Sequence, residues 1–192
     1  MQLILASTSP FRRQILDKLQ LDYQCLTPDC DETPQPGESA QDLVARLAEK
    51  KAISCAPLCD APSLIIGSDQ VCVLNDKIVG KPLTKDKAKL QLHEASGKSV
   101  YFYTGLSVYN TQTQQAHTIV EPFQVHFKPL TEAMIEAYID KDMPLHCAGS
   151  FKSEGLGISL FKKLEGDDPN TLIGLPLIRL IELLEKQGFT VL

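Results

Sequence analysis

The residues best suited to chemistry in this 192-residue chain lie in short, well-separated stretches. The first is Ser7-Thr8-Ser9-Pro10-Phe11-Arg12-Arg13, which follows the apolar run QLILA at 2–6. The run reads as a short buried strand, and Ser9-Pro10 supplies an N-cap with a proline at the first helical position. A helix start offers unsatisfied N–H groups and the positive end of a dipole, which together favour a phosphate. Hydroxyls at Ser7, Thr8 and Ser9 add donors, and Arg12 and Arg13 add guanidinium forks that match phosphate oxygens. An ordinary capped helix with two solvated arginines would be spelled the same way.

The second stretch is LIIG at 64–67 followed by Ser68-Asp69-Gln70. A carboxylate just past the end of a short interior strand lies where α/β proteins bind ligands. Asp69 could there hold a magnesium ion or orient an attacking water, although Gly-Ser-Asp is also common turn chemistry. In Val79-Gly80-Lys81-Pro82 the proline biases Lys81 towards an extended backbone, and a hairpin before it would return the chain towards Asp69. Lys81 is then a point charge for phosphate or a solvated lysine beside a turn. Lys51 shares a helical column with Leu43 and Leu47, four residues apart, at the border of the buried stripe. Such a lysine ordinarily snorkels to solvent, the alternative being that it lines a pocket. Asp29, Asp31 and Glu32 offer metal carboxylates or simple loop polarity. The stretch Lys152-Ser153-Glu154-Gly155 has the small residues of a ligand lid. The four histidines lack metal-ligand spacing, and neither a Walker A pattern nor a G-x-S-x-G elbow is present.

The elements that must position these groups alternate between helix and strand. Pro28, Pro34, Pro36 and Gly37 make 26–38 a loop, and Ser39 opens a helix burying Leu43, Val44, Leu47, Ala48 and Ala52. Residues 71–74 and 77–79 flank an Asn75-Asp76 turn as a hairpin, and Thr84 caps a helix ending before Gly97. Strands are expected at 99–109 and 117–127. In the second, Ile119, Glu121, Phe123, Val125 and Phe127 share one face. Thr131 starts a helix bearing Met134, Ile135, Tyr138 and Ile139, and residues 147–157 read as a loop. A last helix begins at Leu175-Pro176, buries Leu177, Leu180, Ile181 and Leu184, and stops at Gly188. Helices with both crossovers and hairpins predict a mixed sheet flanked by helices, in a single domain over 1–192 that has room for two lobes but not for two independent cores.

Composition is ordinary: 43% hydrophobic, 22% charged, and a net charge of −5 from 19 basic and 24 acidic residues. No basic excess is available to track a polynucleotide, whereas a small anion needs only a local positive cluster. The N-terminal apolar run is too short for a signal segment and no run approaches a membrane span, so a cytoplasmic protein is expected. The six cysteines are read as reduced thiols rather than zinc ligands. From the residues alone the reading is an anion-binding α/β protein consistent with a phosphohydrolase, and it stops there.

Taken together and in order, the segments resemble the Maf family of nucleotide pyrophosphatases. They are LILASTSPFRR, DE at 31–32, RLAEKKA at 46–52, IIGSDQV at 65–71, GKP at 80–82, CAGSFKSEG at 147–155 and NTLIGLPL at 170–177. The resemblance spans almost the whole chain. It implies a fold related to the inosine triphosphate pyrophosphatases, with a mixed twisted sheet and a cleft between two lobes. It implies hydrolysis of a nucleoside triphosphate to the monophosphate and diphosphate with Mg²⁺ or Mn²⁺, and suggests a homodimer. Ser7, Arg12, Arg13, Lys51 and Lys81 would bind substrate. Asp69 would be general base or metal-bound carboxylate, with Glu32 as a second metal contact.

GSDQV and SFKSEG are similar to a subgroup associated with N7-methylguanosine triphosphate, so that Arg12, Gln70 and Glu154 would set specificity. A carboxylate at Glu154 can accept from two N–H groups on the guanine edge, and methylation at N7 leaves the base cationic. The alternatives are a dTTP or UTP pyrophosphatase of the same family and a regulator that binds nucleotide without cutting it.

Overall fold

The computed structural model describes residues 1–192, a mixed α/β fold with one seven-stranded sheet and five α-helices. In chain order these are β1 (Gln2–Ala6), α1 (Pro10–Leu16), β2 (Gln24–Leu26), α2 (Ala40–Ser54), β3 (Ser63–Leu74) and β4 (Lys77–Val79). There follow α3 (Lys85–Ala95), β5 (Ser99–Asn110), β6 (Gln115–Phe127), α4 (Glu132–Asp142), β7 (Phe161–Glu165) and α5 (Leu177–Lys186). The strand order is β2-β1-β3-β5-β6-β7, with β4 paired to β3. The chain forms two compact units: Met1–Gln70 with Thr104–Glu121 and Asp168–Leu192, and Val71–Tyr103 with Pro122–Asp167. No helix is long and apolar enough to cross a membrane.

In the first unit β1 lies parallel to both β2 and β3, with Ala6 opposite Leu26 and Gly67. A parallel strand covered on both faces should be apolar throughout, as Leu3–Ala6 are, while Gln2 at the strand's start stays exposed. Leu3 and Leu5 pack with Leu64 and Ile66 against Ile15 and Leu16 of α1 and Leu177, Leu180, Leu183 and Leu184 of α5. Ile4 and Ala6 pack with Ile65 on the opposite face, where Ala52 of α2 and Cys55 meet them. Helix α2 comes close because two strand positions lack a Cβ. A methyl group at Gly67 would lie 2.1 Å from the Ala48 carbonyl oxygen, and one at Gly105 2.0 Å from that of Val44.

In α5 the sequence expectation shifts: the helix starts at Leu177, and Leu183 is buried where Ile181 is only partly so. Leu183 lies three residues after Leu180 and so shares its buried face, which packs on Leu3, Leu5, Leu64 and Ile66.

Strand β3 also departs from expectation. The local chemistry predicts that LIIG ends at a Gly-Ser-Asp loop, with a separate hairpin strand at 71–74. Instead a single 12-residue strand runs through, with 63–69 buried throughout. Local turn chemistry loses here because Ser68 and Asp69 find polar partners from distant segments, described below, so that neither needs water.

The second unit confirms the hairpin. Cys72 pairs with Val79 and Leu74 with Lys77, while Asn75 (φ 50°) and Asp76 (φ 61°) take the left-handed conformations of a two-residue turn. The β6 alternation also stands: Glu121, Phe123, Val125 and Phe127 are buried and the residues between them are not. Phe127, Phe151 and Phe161 form edge-to-face contacts with centroids 4.8–5.6 Å apart, and Phe102 joins through Phe151. Helices α3 and α4 lie side by side, tied by Lys85–Asp140 (2.7 Å) and Lys89–Glu136 (2.5 Å). β2 and β7 were not anticipated; both are short, and β7 is exposed at all but its first residue. Such edge strands exist through pairing rather than through an alternating pattern.

Candidate functional site

Lys51 sits one helical turn beyond Leu47 on α2, and that column faces β3. Since Ala48 and Ala52 lie against Gly67, Lys51 is aimed at the next residue on the same strand face, Asp69. Its Nζ is 2.7 Å from an Asp69 carboxylate oxygen and 3.2 Å from Glu32, and its side chain is only 8% exposed. The lysine therefore does not snorkel, since a buried carboxylate offers it a partner inside. Asp69, with 11% of its side chain exposed, likewise has its partner inside the protein. Glu32 remains largely exposed at 58% and reaches in from the proline-rich loop. Of its neighbours there, Asp31 accepts through a carboxylate oxygen from the Thr33 amide at 2.9 Å, and Asp29 donates only its backbone N–H, to Ser54 Oγ.

Arg12 joins the same cluster. Burial pulls its guanidinium pKa down, and the nearby negative charges of Asp69 and Glu32 push it back up. Its Nε donates to the Gly174 carbonyl at 2.9 Å. Arg13 is exposed, and the bond at this position is made by its backbone carbonyl, which accepts from Tyr23. Ser7 is buried, and because Ala6 pairs with Gly67 it lies level with Ser68; its Oγ accepts from the Ser9 amide at 3.1 Å. Helix α1 has only seven residues, Pro10 lacks an N–H, and the Arg12 and Arg13 amides are spent on the Ser9 Oγ and carbonyl. The helix N-terminus thus contributes less than its spelling promised. Side-chain charge carries the site.

A turn at 168–174 holds these groups in place, although no individual role is readable from its residues in the sequence. Gly174, at φ 106° where a side chain is disfavoured, presents one carbonyl to both Arg12 and Ser68, whose Oγ donates at 2.8 Å. The Thr171 carbonyl accepts from the Gln70 amide (2.7 Å) and from Thr104 Oγ1 (3.0 Å). The Gln70 amide nitrogen also donates to Thr104 Oγ1 at 2.9 Å, so both its hydrogens are used and the side-chain oxygen is left as acceptor. Asp168, buried at 1% exposure, closes the turn by accepting from the amides of Asn170 and Ile178, both at 2.8 Å. The Asp-Pro-Asn start and the Gly174 end were the available signals, but only the tertiary contacts say what the turn supports.

In the second unit Lys81 and Glu154 are both exposed. The Cys147 thiol lies near both: burial raises its pKa first, Glu154 raises it further, and Lys152 and Lys81 act in the opposite direction. Gln91 on α3 ties the two segments together, donating to the Gly80 carbonyl at 3.1 Å and accepting from Ser150 Oγ. Lys152 is anchored, donating to the Asp142 carbonyl, while its own amide donates to Tyr138 at 3.0 Å.

In the first unit, then, Arg12, Lys51, Asp69 and Glu32 converge, with Ser7 just past the end of β1 and Ser68 and Gln70 flanking Asp69 within β3. The two carboxylates supply hard oxygen donors around one cation position, with no third acidic, histidine or cysteine ligand. That donor set suits Mg²⁺ or Mn²⁺, which accept one or two carboxylates and complete their shell with phosphate oxygens and water. It does not suit a structural zinc site, which needs four protein ligands.

Known proteins resemble this chain along nearly its whole length. The profile of the family described as "Maf-like protein" matches residues 2–187. A protein of Aliivibrio fischeri named "7-methyl-GTP pyrophosphatase" is 65% identical over 191 residues, covering 100% of this chain and 98% of that one. Relatives of the same name from Vibrio vulnificus and Vibrio cholerae are each 61% identical, covering 100% of this chain and 97% and 98% of theirs. Among solved structures, a Ham1 protein from Staphylococcus aureus aligns with a TM-score of 0.43 and 12% identity over 66% of this chain and 72% of that one, too distant to bear on function. With a full-length profile match and relatives of this identity, the chain belongs to the Maf-like protein family.

Proposed function

We propose that this chain is a metal-assisted nucleoside triphosphate pyrophosphatase that converts 7-methyl-GTP to 7-methyl-GMP and diphosphate in the cytoplasm. The observation that carries this reading is the buried Asp69 carboxylate held by Lys51 at 2.7 Å within reach of the Arg12 charge. A carboxylate among phosphate-seeking cations, in a fold whose relatives carry this name, fits water attack on a phosphoanhydride.

In the reaction, Asp69 orients the attacking water and accepts its proton as the oxygen bonds to the α-phosphorus. The diphosphate leaves with the bridging oxygen. Arg12 and Lys51 offset charge on the phosphoryl oxygens, and Lys81 and Arg13 add positive charge for the polyphosphate. Ser68 and the Gly174 carbonyl keep Arg12 aimed, so its guanidinium needs no reorganisation when substrate arrives. A divalent ion held by Asp69 and Glu32 would neutralise phosphate charge and lower the pKa of a bound water. Gln70, with its amide hydrogens committed, presents an acceptor to the substrate, and Glu154 accepts from the N–H groups of the guanine edge.

The test is diphosphate release with Mg²⁺ from 7-methyl-GTP, GTP, UTP and dTTP, by the wild type and by Asp69→Asn. We expect 7-methyl-GTP to be consumed fastest and the variant to lose on the order of 10²–10⁴-fold in turnover while still binding nucleotide. Preferential consumption of UTP or dTTP would move the chain to the pyrimidine reading. Tight binding of every nucleotide without product would leave a regulator.

A further inference from the structure

We infer that Lys51 is the resident counter-cation of the Asp69–Glu32 pair and keeps divalent metal out of the site until nucleotide is present. This role presupposes the metal-assisted reaction proposed above and assigns Lys51 a task beyond contacting phosphate. Its Nζ lies 2.7 Å from Asp69 and 3.2 Å from Glu32, between the two carboxylates available to a metal ion. An ion bound to both would occupy much the same position. An ammonium and a divalent cation cannot share it, because their repulsion grows steeply at a few ångströms in a poorly solvated site.

The charge count points the same way. Arg12 and Lys51 contribute two positive charges and Asp69 and Glu32 two negative ones, so the nucleotide-free cluster is neutral as it stands. Adding a divalent ion leaves two uncompensated positive charges, with Asp69 and Lys51 nearly inaccessible to water. A triphosphate reverses that balance. It brings negative charge for the metal and a new anionic partner for the ammonium, so that Lys51 can move from carboxylate to phosphate as the metal enters. No proton is transferred in this exchange. Lys51 remains charged throughout and changes only its partner. Helix α2 is held against β3 at Gly67, so the movement falls on the flexible lysine side chain rather than on the backbone.

The test is Mn²⁺ binding to the full chain without nucleotide, read from the electron paramagnetic resonance of free Mn²⁺. The wild type should bind weakly. Lys51→Met, which keeps length and packing but removes the charge, should bind on the order of tenfold more tightly or better. Lys51→Arg should stay as weak as the wild type, and adding Asp69→Asn to Lys51→Met should abolish the gain. Mn²⁺ should also raise the melting temperature of Lys51→Met more than that of the wild type. Lys51→Gln serves in the same comparison if the methionine variant does not fold. Equal Mn²⁺ affinity with and without the lysine charge would overturn the assignment, as would tight nucleotide-free binding by the wild type. Because nucleotide is absent, these outcomes are separate from the hydrolysis panel: an active enzyme whose Lys51 variants bind Mn²⁺ normally refutes this role alone.

Discussion

The close approach of α2 to β3 makes Gly67→Ala an informative perturbation, because packing and chemistry meet at that crossing. A Cβ at Gly67 would lie 2.1 Å from the Ala48 carbonyl oxygen, 2.8 Å from the Ala52 amide nitrogen and 3.0 Å from the Ala52 methyl group. Two of the three are helix backbone, so no rotamer change relieves the contact. Helix and strand must separate by roughly 1 Å, and overpacking of this kind costs about 1–3 kcal/mol, here expected near the upper end. Lys51 rides on the same turn of α2, between Ala48 and Ala52, and Asp69 is the next residue along that face of β3. The displacement therefore falls on the 2.7 Å Lys51–Asp69 contact, and a misplacement of about 1 Å at a catalytic group can cost on the order of 10²-fold in rate. Urea unfolding followed by circular dichroism gives the first quantity, and kcat/KM for 7-methyl-GTP gives the second. The variant should fold, unfold at lower urea with unchanged m-value, and turn over far more slowly. Wild-type stability together with wild-type kcat/KM would refute the reasoning, since it would mean that the helix does not lie where Lys51 depends on it.

Two further outcomes follow from the same structure. Glu154→Gln replaces an acceptor-only group with an amide, so the kcat/KM ratio of 7-methyl-GTP over UTP should fall by on the order of tenfold with little change in stability; an unaltered ratio removes Glu154 from base selection. Arg46 grips Glu38 through two bonds of 2.6 and 2.7 Å, which with the Gln35 amide hold the Glu38 carboxyl down to about 2, from an ordinary 4.5. A depressed folded-state pKa stabilises the fold above the unfolded value, and that contribution is lost as pH falls from about 4.5 towards 2. Arg46→Met should accordingly flatten the stability–pH curve in that window, measured by thermal melts at stepped pH. An unchanged slope would show that the pair contributes nothing to acid unfolding.

What the sequence determined by itself was the set of elements with strong periodicity or clear punctuation. QLILA needed only its apolar continuity to be a two-sided buried strand, the Asn75-Asp76 turn needed only its left-handed tolerance, and β6 needed only its alternation. Ser9, Ser39, Thr84 and Thr131 each cap the helix expected of them, because a cap is a contact over three residues. The site was legible as a set of residue types and, through the ordered segments, as a family. Its assembly was decided by tertiary structure. Asp69 lies within a continuous strand rather than after one, because Lys51 and a distant turn satisfy polar groups that local rules send to a loop. Lys51 turns inward for the same reason, and Glu32 is distinguished from Asp29 and Asp31 only by which carboxylate the loop delivers to that ammonium. The physical reason is range. Caps and periodicity act over one to four residues, whereas the partners of Lys51, Ser68 and Gln70 lie 18, 106 and 101 residues away in the chain. Only folding brings such groups into contact.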